Sequence, residues 1–405
     1  MELPTHSQSR LAARMAQVQP SAIRELLALG ADPAITSFGG GYPSAELFPT
    51  EQLAAVYHAA IAGMGQATLQ YTVSNGIPEL RRKVAGRMAR EGVACGPDGV
   101  LITQGAQQGL DLVAKLFIDP GDLIVTESPT FLGALIAFNP YQPRYLGVPM
   151  DDEGMDTDAL EAALKSAGGR VKFLYTVPDF HNPTGVTMSL ARRKRLLALA
   201  SEFDFLVLED SPYRDIRYAG ETIPTLASLD TEGRVIYLGS FSKILAPGLR
   251  LGWLAASGDL IDKLGLLKVA ADTQCSTLNM SAVSAFLDTF DIEAHIQVIR
   301  RTYLRKKNLM LDTMRAHFPA GIRFTDPDGG LFTWVTFPQG FDAALFMRDH
   351  AVPEGRVAYV PGGTFFPGAQ ENNHARFSYS TASDEAIVQG ISVLGRLLAT
   401  RGGLG

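Results

Sequence analysis

Residues 171–210 read VKFLYTVPDFHNPTGVTMSLARRKRLLALASEFDFLVLED and contain two short apolar runs with a helical segment between them. The runs, Val171 to Val177 and Phe205 to Leu208, are rich in the β-branched and aromatic residues typical of buried strands. The intervening segment, Ala191 to Phe203, has helical spacing and a basic face. A strand, a helix and a strand in succession indicate two parallel strands, because parallel neighbours need a long crossover connection.

The same alternation extends to both sides of this unit. Strands are predicted at Val100 to Thr103, Leu123 to Thr126, Val235 to Leu238 and Leu251 to Ala256. The sequence therefore predicts an α/β fold, with a mostly parallel sheet covered by helices on both faces. In such sheets ligands bind beyond the carboxyl ends of the strands, and this is where candidate residues are sought.

The pattern changes after about Ala282. A long helix is predicted through Arg300 and Lys306, followed by strands, a turn and a C-terminal helix. The strands are Ile322 to Phe324, Leu331 to Phe337 and Arg376 to Ser380. This part of the chain is predicted to form a smaller α+β domain.

Composition excludes several classes of protein. The 405 residues carry a net charge of -6 without a long basic run, which argues against a nucleic-acid or anionic-membrane surface. No apolar stretch approaches membrane-spanning length, and the polar N-terminus lacks the apolar core of a signal peptide. Two cysteines fit a reducing cytoplasm, and the seven histidines show no metal-ligand spacing. A cytoplasmic protein without a metal site is expected.

Four motifs fall at or just after predicted strand ends. The first is Gly239-Ser240-Phe241-Ser242-Lys243, in which partial desolvation would make the lysine a nucleophilic amine. The hydroxyls of Ser240 and Ser242 and the guanidinium of Arg250 suit a phosphate. Taken alone, Lys243 is better interpreted as a solvated loop lysine near the Pro247-Gly248 turn, and only the motifs around it reverse that interpretation.

The second motif is Asn182-Pro183-Thr184-Gly185, which follows the strand that begins at Val171. Its amide side chain is suited to bind a phenolic oxygen on a ligand ring, and a plain tight turn is the alternative interpretation. Because strained peptides collect at functional sites, the bond between Asn182 and Pro183 is a candidate for the cis isomer.

The third motif is Asp210 with Tyr213, and the fourth is Gly105-Ala106-Gln107-Gln108-Gly109 at a strand-to-helix junction. A carboxylate such as Asp210 can keep a pyridine nitrogen protonated, although a helix-capping aspartate is the alternative. Free amides at the start of a helix bind phosphate. The four motifs together supply a reactive lysine, an acid for a pyridine nitrogen, an amide for a phenolic oxygen and a turn that can bind phosphate. This combination indicates pyridoxal 5′-phosphate (PLP).

These motifs resemble those of the class I/II aminotransferases, in particular the branch with 2-aminoadipate, kynurenine and multi-substrate aminotransferases. The resemblance spans the segments Ile35 to Gly41, Gln70-Tyr71, Val360 to Gly363 and Arg376 to Tyr379 besides the four motifs. It implies the fold-type-I architecture, with a mostly parallel seven-stranded sheet and a smaller α+β domain. It also implies an N-terminal arm and substrate-capping segment at 1–45, a large PLP-binding domain at 46–285 and a small domain at 286–405.

The resemblance further implies a role for each motif residue. Lys243 would hold PLP as a Schiff base and carry the proton between the substrate Cα and the cofactor. Asp210 would pair with the pyridine nitrogen, and Asn182 and Tyr213 would bind the ring hydroxyl. The phosphate would be held by Ser240, Ser242, Arg250, the amides of Ala106 and Gln107, and Tyr71. Since Tyr71 would come from a partner subunit, a homodimer is implied.

The substrate is implied to bind through Arg376, which would hold its α-carboxylate with help from Asn182 and the backbone of Gly40. A structural arginine on an exposed strand is the alternative for Arg376. Relatives often carry serine at Ala106 and tyrosine at the ring-stacking position, which here is Phe131. Loss of that serine removes one phosphate contact, whereas stacking survives the change to Phe131.

Arg24 lies just after Pro20-Ser21 and, by the resemblance, would meet the distal carboxylate of an acidic substrate; a solvated arginine near Glu25 is the alternative. The expected activity is ping-pong transfer of an amino group between an L-amino acid (2-aminoadipate, aromatic or aliphatic) and a 2-oxo acid, with 2-oxoglutarate and glutamate as one couple. A PLP lyase or decarboxylase would keep the same lysine and aspartate. A non-enzymatic sensor fused to a winged helix is disfavoured by the acidic charge and by the start of the matching segment near Pro20.

Overall fold

The computed structural model describes residues 10–18 and 32–403, and the structural statements below refer to these residues. The strands are β1 (Thr36–Ser37), β2 (Val100–Thr103), β3 (Leu123–Ser128), β4 (Arg144–Asp151), β5 (Gly154–Met155), β6 (Val171–Thr176), β7 (Leu206–Asp210), β8 (Val235–Ser240), β9 (Gly252–Ala255), β10 (Arg323–Phe324), β11 (Phe332–Thr336), β12 (Val357–Ala358), β13 (Val360–Pro361) and β14 (His374–Ser378).

The α-helices are α1 (Thr50–Thr68), α2 (Pro78–Arg90), α3 (Gly105–Phe117), α4 (Leu132–Phe138), α5 (Thr157–Ser166), α6 (Leu190–Glu202), α7 (Leu226–Leu229), α8 (Gly258–Asp272), α9 (Thr277–Thr289), α10 (Ile292–His317), α11 (Ala343–Phe346) and α12 (Asp384–Arg401). Short 3₁₀ turns lie at Ala13–Gln17, Ala45–Leu47, Pro97–Gly99, Asn139–Tyr141, Pro247–Leu249 and Gly362–Phe365, and a π-helical turn spans Met347–Ala351. No helix in the described part of the chain is long and apolar enough to cross a membrane.

The main sheet has the strand order β2-β9-β8-β7-β6-β3-β4-β5. Strands β8, β7, β6, β3 and β4 run parallel, which confirms the predicted mostly parallel sheet. Strand β9 is antiparallel to both of its neighbours, and β5 is a two-residue strand added at one edge to the seven longer ones. Because β2 and β8 each pair antiparallel with β9, their carboxyl ends lie at the same edge of the sheet as those of the parallel strands.

Apolar side chains cover both faces of this sheet. Along β6, Phe173 and Tyr175 pack into one core, which also contains Leu110 of α3. Leu174 points to the opposite face and packs with Leu196 of α6 in a second core. Successive side chains of a strand point to opposite faces, so this division confirms the prediction of helices on both sides.

The strand ends differ from the sequence prediction by up to two residues. Strand β7 extends to Asp210 itself, and β8 extends to Ser240, so both motifs begin on the strands rather than after them. Strand β14 starts at His374 and ends at Ser378, two residues earlier than predicted. Ends of strands are set by backbone pairing, which side-chain hydrophobicity reports only indirectly.

A separate antiparallel sheet with the order β10-β11-β14-β13 forms in the C-terminal part of the chain. Arg376 lies in β14 opposite Trp334 of β11 and Val360 of β13. Strand β1 pairs in parallel with β12, so the segment at Thr36–Ser37 is held against the C-terminal part of the chain. This places the glycines at 39–41 next to the small sheet and near Arg376.

Candidate active site

A cavity of about 310 Å³ lies where the carboxyl ends of β2, β6, β7 and β8 meet. Its size is within the range of ligand pockets. The structure brings these sequence-predicted residues together in its lining: Ala106, Gln107, Phe131, Asn182, Asp210, Tyr213, Ser240, Ser242, Lys243, Arg250 and Arg376.

Two other predicted residues, Gly40 and Tyr71, are not part of this lining. Gly39 and Gly41 line the cavity, whereas Gly40 does not. Tyr71 is 81% exposed and lies outside the cavity of its own chain. Arg24 falls outside the described residues.

Asp210 lines the cavity, and only one of its two carboxylate oxygens has a hydrogen-bond partner. Its side chain is buried and accepts a hydrogen bond from the Tyr175 hydroxyl at 2.9 Å through Oδ2. Its Oδ1 is buried without a hydrogen-bond partner. Burial raises the pKa of Asp210 to about 7, although the hydrogen bond from Tyr175 opposes the shift. No helix begins at Asp210, so the alternative of a capping aspartate is wrong.

Lys243 enters the cavity from the loop that follows β8. Its Nζ donates a hydrogen bond to the carbonyl oxygen of Gly41 at 2.8 Å. Burial lowers the pKa of Lys243 to about 8, and the positive charges of Arg376 and Arg250 lower it further. A lysine with this pKa has a substantial uncharged fraction near neutral pH and can act as a nucleophile and a base.

Asn182 joins two functional side chains. Its Oδ1 accepts from the Nη1 of Arg376 at 2.8 Å, and its Nδ2 donates to the hydroxyl of Tyr213 at 3.1 Å. Burial raises the pKa of Tyr213 to about 12, so the phenol keeps its proton at neutral pH and can donate it to a ligand oxygen. The peptide bond between Asn182 and Pro183 is cis, as predicted.

Arg376 is 3% exposed, which rules out the exposed structural arginine considered as an alternative. Its Nη2 donates to the carbonyl oxygen of Gly39 at 2.8 Å, and its guanidinium lies 4.3 Å from the ring centroid of Phe332. No acidic residue forms an ion pair with Arg376 among the described side chains. Burial lowers its pKa to about 10, and a buried cation without a counter-ion is suited to bind an anionic group of a substrate.

The turn between β2 and α3 requires two glycines. Gly105 has φ +71°, and a Cβ there would lie 2.7 Å from the Arg250 guanidinium. Gly252 pairs with both Thr103 and Ser240, and a Cβ there would lie 2.8 to 3.0 Å from three backbone atoms. The turn therefore packs directly on the start of β9, which separates it from the end of β8, with the free amides of the first turn of α3 at the cavity.

Residues 42–394 match the sequence family described as aminotransferase class I and II. The chain is 41% identical over 386 residues to the 2-aminoadipate transaminase of Thermus thermophilus, with 94% of each sequence covered. It is 41% identical over 381 residues to the aromatic-amino-acid aminotransferase 1 of Thermococcus litoralis, with 93% of this chain and 91% of that sequence covered. The chain belongs to the class I and II aminotransferases.

A crystal structure supports the same assignment. The aminotransferase matches Pyrococcus horikoshii kynurenine aminotransferase in complex with PMP, with a TM-score of 0.93, 38% identity and 98% of each chain covered. The fold-type-I architecture, the family and the PLP cofactor predicted from the sequence are thereby confirmed.

The residues of this aminotransferase fit PLP on structural grounds. The unpartnered Oδ1 of Asp210 is a buried acceptor that a protonated pyridine nitrogen would satisfy. The Tyr213 hydroxyl, which accepts from Asn182, retains its own proton for a phenolic oxygen. Ser240, Ser242 and Arg250 line the same cavity as Ala106 and Gln107 in the first turn of α3, and together they can hold a phosphate.

Two further buried residues support the aminotransferase site, and of these the sequence drew attention to His181 but not to Tyr175. Tyr175, which donates to Asp210, is an ordinary strand tyrosine in the sequence. His181 is fully buried, with its Nε2 3.0 Å from the Glu127 carboxylate and its Nδ1 2.9 Å from the Thr184 hydroxyl. In the sequence, only its position directly before Asn182 indicates that His181 lies near the site. These contacts hold the segment that carries Asn182.

Proposed function

We propose that this aminotransferase transfers the amino group of an L-amino acid with an aromatic or aliphatic side chain, or of 2-aminoadipate, to a 2-oxo acid such as 2-oxoglutarate. The observation that carries this proposal is that Arg376 and Lys243 face one cavity. Arg376 is a buried guanidinium without an acidic partner among the described residues, and Lys243 is an amine of lowered pKa. A carboxylate held by Arg376 would bring the Cα of an amino acid within reach of Lys243.

Each side chain is proposed to have one task. PLP supplies an electron sink for the bond that breaks at Cα. Lys243 binds the cofactor covalently and then moves the proton at Cα. Asp210 holds the proton on the ring nitrogen, while Asn182 and Tyr213 orient the ring through its phenolic oxygen.

The remaining cofactor contacts fix the position of the ring and the phosphate. Phe131 lines the cavity and would stack on the ring of the bound cofactor. The phosphate is held by Ser240, Ser242, Arg250 and the amides of Ala106 and Gln107.

The lining of the cavity supports a neutral side chain on the substrate. Phe131, Val177 and Tyr42 supply apolar surface. The cationic side chains among the described lining residues already have proposed roles in binding the cofactor or the α-carboxylate. An acidic side chain, as in 2-aminoadipate, would therefore need a further cation, which we propose is Arg24. The relatives named for aromatic amino acids and for 2-aminoadipate support both substrate types.

A homodimer is part of the proposal. Tyr71 is exposed, as are its apolar neighbours Leu69 and Val73 and, on α8, Leu266 and Val269. Burial of such a patch would favour association of two copies. We propose that Tyr71 reaches the phosphate of the partner chain. A cytoplasmic location and the domain division at 45 and 285 are proposed on the sequence grounds given above.

A half-reaction screen tests the activity. The yellow holoenzyme is mixed with single amino acids while its visible absorbance is followed, and the Lys243→Ala variant is the control. Loss of the yellow colour with formation of one equivalent of 2-oxo acid is expected, and Lys243→Ala should show neither. Release of ammonia or CO₂ in place of the 2-oxo acid would overturn transamination in favour of a lyase or a decarboxylase.

Mixed dimers test the shared site. Tyr71→Ala and Lys243→Ala subunits are each expected to form weak or inactive homodimers. A dimer of one Tyr71→Ala and one Lys243→Ala subunit would contain one site with both native residues, so activity should return on mixing. Absence of recovery in a verified mixed dimer would contradict the proposed role of Tyr71.

The Arg24→Ala variant tests the substrate range. It should raise the KM for glutamate and 2-aminoadipate and leave the KM for an aromatic amino acid unchanged. An equal change for acidic and aromatic substrates would contradict a contact between Arg24 and the distal carboxylate.

A further inference from the structure

An ion pair between a buried lysine and a partly exposed aspartate lies beside the turn between β2 and α3 and outside the lining of the cavity. The side chain of Lys268 on α8 is fully buried, and its Nζ lies 2.9 and 3.0 Å from the two carboxylate oxygens of Asp272. The same Nζ donates to the Oε1 of Gln108 at 3.0 Å, and the Nε2 of Gln108 donates to Asp272 at 2.8 Å. Lys268, Asp272 and Gln108 form a closed cluster, here called the α8 cluster.

The α8 cluster is joined directly to the turn. The Oε1 of Gln108 also accepts from the backbone amide of Gln104 at 2.8 Å. The carbonyl oxygen of Gln104 in turn accepts from the Nη2 of Arg250 at 3.1 Å. Both backbone polar groups of Gln104 are thus bound by side chains, immediately before the amides of Ala106 and Gln107.

Simple helix packing does not account for this arrangement. Lysine is rarely fully buried, and replacing a buried ion pair by apolar residues of similar volume is often neutral or stabilising. Here the ion pair instead orients Gln108, whose Oε1 receives both the Lys268 ammonium and the Gln104 amide. The cluster therefore fixes the shape of the turn as well as joining α3 to α8.

We propose that Lys268, Asp272 and Gln108 are positioning residues for the cofactor phosphate, and that Lys268 cancels the charge of Asp272 next to the phosphate site. This inference rests on the proposed placement of the phosphate at Ala106 and Gln107. Without Lys268, the Asp272 carboxylate would repel a phosphate and would also lose its partner. Without the charge of Asp272, the remaining Lys268 charge would attract the phosphate.

The test compares PLP with pyridoxal, which lacks the phosphate, in titrations of cofactor-free protein. Lys268→Met should raise the Kd for PLP about tenfold, a change typical of a coupled charge, and leave the Kd for pyridoxal within about twofold. Adding Asp272→Asn to Lys268→Met should restore part of the affinity for PLP, because the repelling charge is removed. Lys263→Met, an exposed lysine on the same helix, is the matched control and should leave both constants unchanged.

A purely structural role predicts different results. In that case Lys268→Met would weaken PLP and pyridoxal equally, and the double variant would be worse than the single one; either result overturns the inference. If Lys268→Met does not fold, Gln108→Met is used instead. It removes the hydrogen bonds that join the ion pair to the backbone of Gln104 and leaves Lys268 and Asp272 paired with each other. That variant should weaken PLP but not pyridoxal, and an unchanged PLP constant would overturn the inference.

The inference and the proposed function fail in distinguishable ways. If the native protein does not bind PLP through Lys243, the proposed function is wrong. If the native protein binds PLP normally and the Lys268→Met and Gln108→Met variants bind it equally well, only the role of the α8 cluster is wrong.

Discussion

Arg376 and Asn182 share a hydrogen bond of 2.8 Å from the guanidinium Nη1 to the amide Oδ1, and this contact decides which way the amide points. With Oδ1 facing Arg376, Nδ2 faces the hydroxyl of Tyr213. One asparagine thereby orients a side chain proposed to bind the substrate and a side chain proposed to bind the cofactor ring. An amide has both a donor and an acceptor, and neither aspartate nor alanine can replace it in both contacts.

The Asn182→Asp variant should lose substrate affinity. A carboxylate at this position would pair with Arg376 and compete with the α-carboxylate of the substrate. We expect the KM for both the amino acid and the 2-oxo acid to rise about tenfold or more, and more than in Asn182→Ala. Steady-state kinetics of the two variants provide the measurement. Equal KM values in the two variants would argue against competition for Arg376.

The Arg376→Leu variant should raise the KM for amino acids on the order of 100-fold, because a buried charged pair is lost. The affinity for PLP should change far less, since Arg376 itself makes no proposed cofactor contact and acts on the ring only through the orientation of Asn182. Arg323→Leu, an exposed arginine of the same sheet, is the control. With an amine substrate that lacks an α-carboxylate, Arg376→Leu should differ from the native enzyme far less than with an amino acid; an equal loss with both substrates would contradict carboxylate binding by Arg376.

The positions of the motifs on the fold were predictable because their signals are local. Buried parallel strands are continuous apolar runs, and the residues that follow them must lie at one edge of the sheet. Asp210 and Lys243 could therefore be assigned to one site from the sequence alone. Strand β4 was not predicted, because Gly147 and Pro149 interrupt its apolar residues and both residue types are depleted in strands.

Other features depend on contacts that the sequence does not encode locally. Lys243 donates to the carbonyl oxygen of Gly41, 202 positions away. The Tyr175 hydroxyl donates to the carboxylate of Asp210, 35 positions away. The antiparallel direction of β9, by contrast, could have been predicted from the length of its connection to β8. The connection from β8 to β9 contains only a 3₁₀ turn, whereas a parallel crossover usually contains a helix.

The Gly252→Ala variant should damage the phosphate turn. A Cβ at this position would lie 2.8 Å from the carbonyl oxygen of Gly239 and 2.9 Å from the backbone carbon of Gly105, and backbone cannot move aside as a side chain can. We expect a loss of about 1–3 kcal/mol in the free energy of unfolding and a higher Kd for PLP. Gly248→Ala is the control, because a Cβ there meets no atom within 4 Å. Equal behaviour of the two variants in thermal unfolding and PLP titration would refute the close approach.

The pKa of Lys243, which burial lowers to about 8, should control cofactor capture. The rate at which cofactor-free protein binds PLP should rise with pH and level off above about pH 8, because only the uncharged amine reacts. In Arg376→Leu, loss of a positive neighbour should raise this pKa and move the plateau to higher pH. The ionisation of free PLP is the same in both experiments. The ratio of the binding rates of the native protein and of Arg376→Leu therefore depends only on the ionisation of Lys243. A ratio independent of pH would contradict the proposed electrostatic coupling.

The pKa of Asp210, which burial raises to about 7, should make the cofactor-free protein less stable at higher pH. In the unfolded chain an aspartate titrates near 3.9, so the folded state binds more protons between about pH 4 and 7. Stability from this group is therefore lost as pH rises through that window.

Asp210→Asn removes this titration while keeping an acceptor for Tyr175. The cofactor-free variant should unfold roughly 2–4 °C above the native protein at pH 8, with a smaller difference at pH 5. The order should reverse with PLP bound, because the ring nitrogen loses its charged partner. Calorimetric scans of both proteins at the two pH values, with and without PLP, give all four comparisons. If, without PLP at pH 8, Asp210→Asn is less stable than the native protein, burial does not destabilise the ionised carboxylate of Asp210.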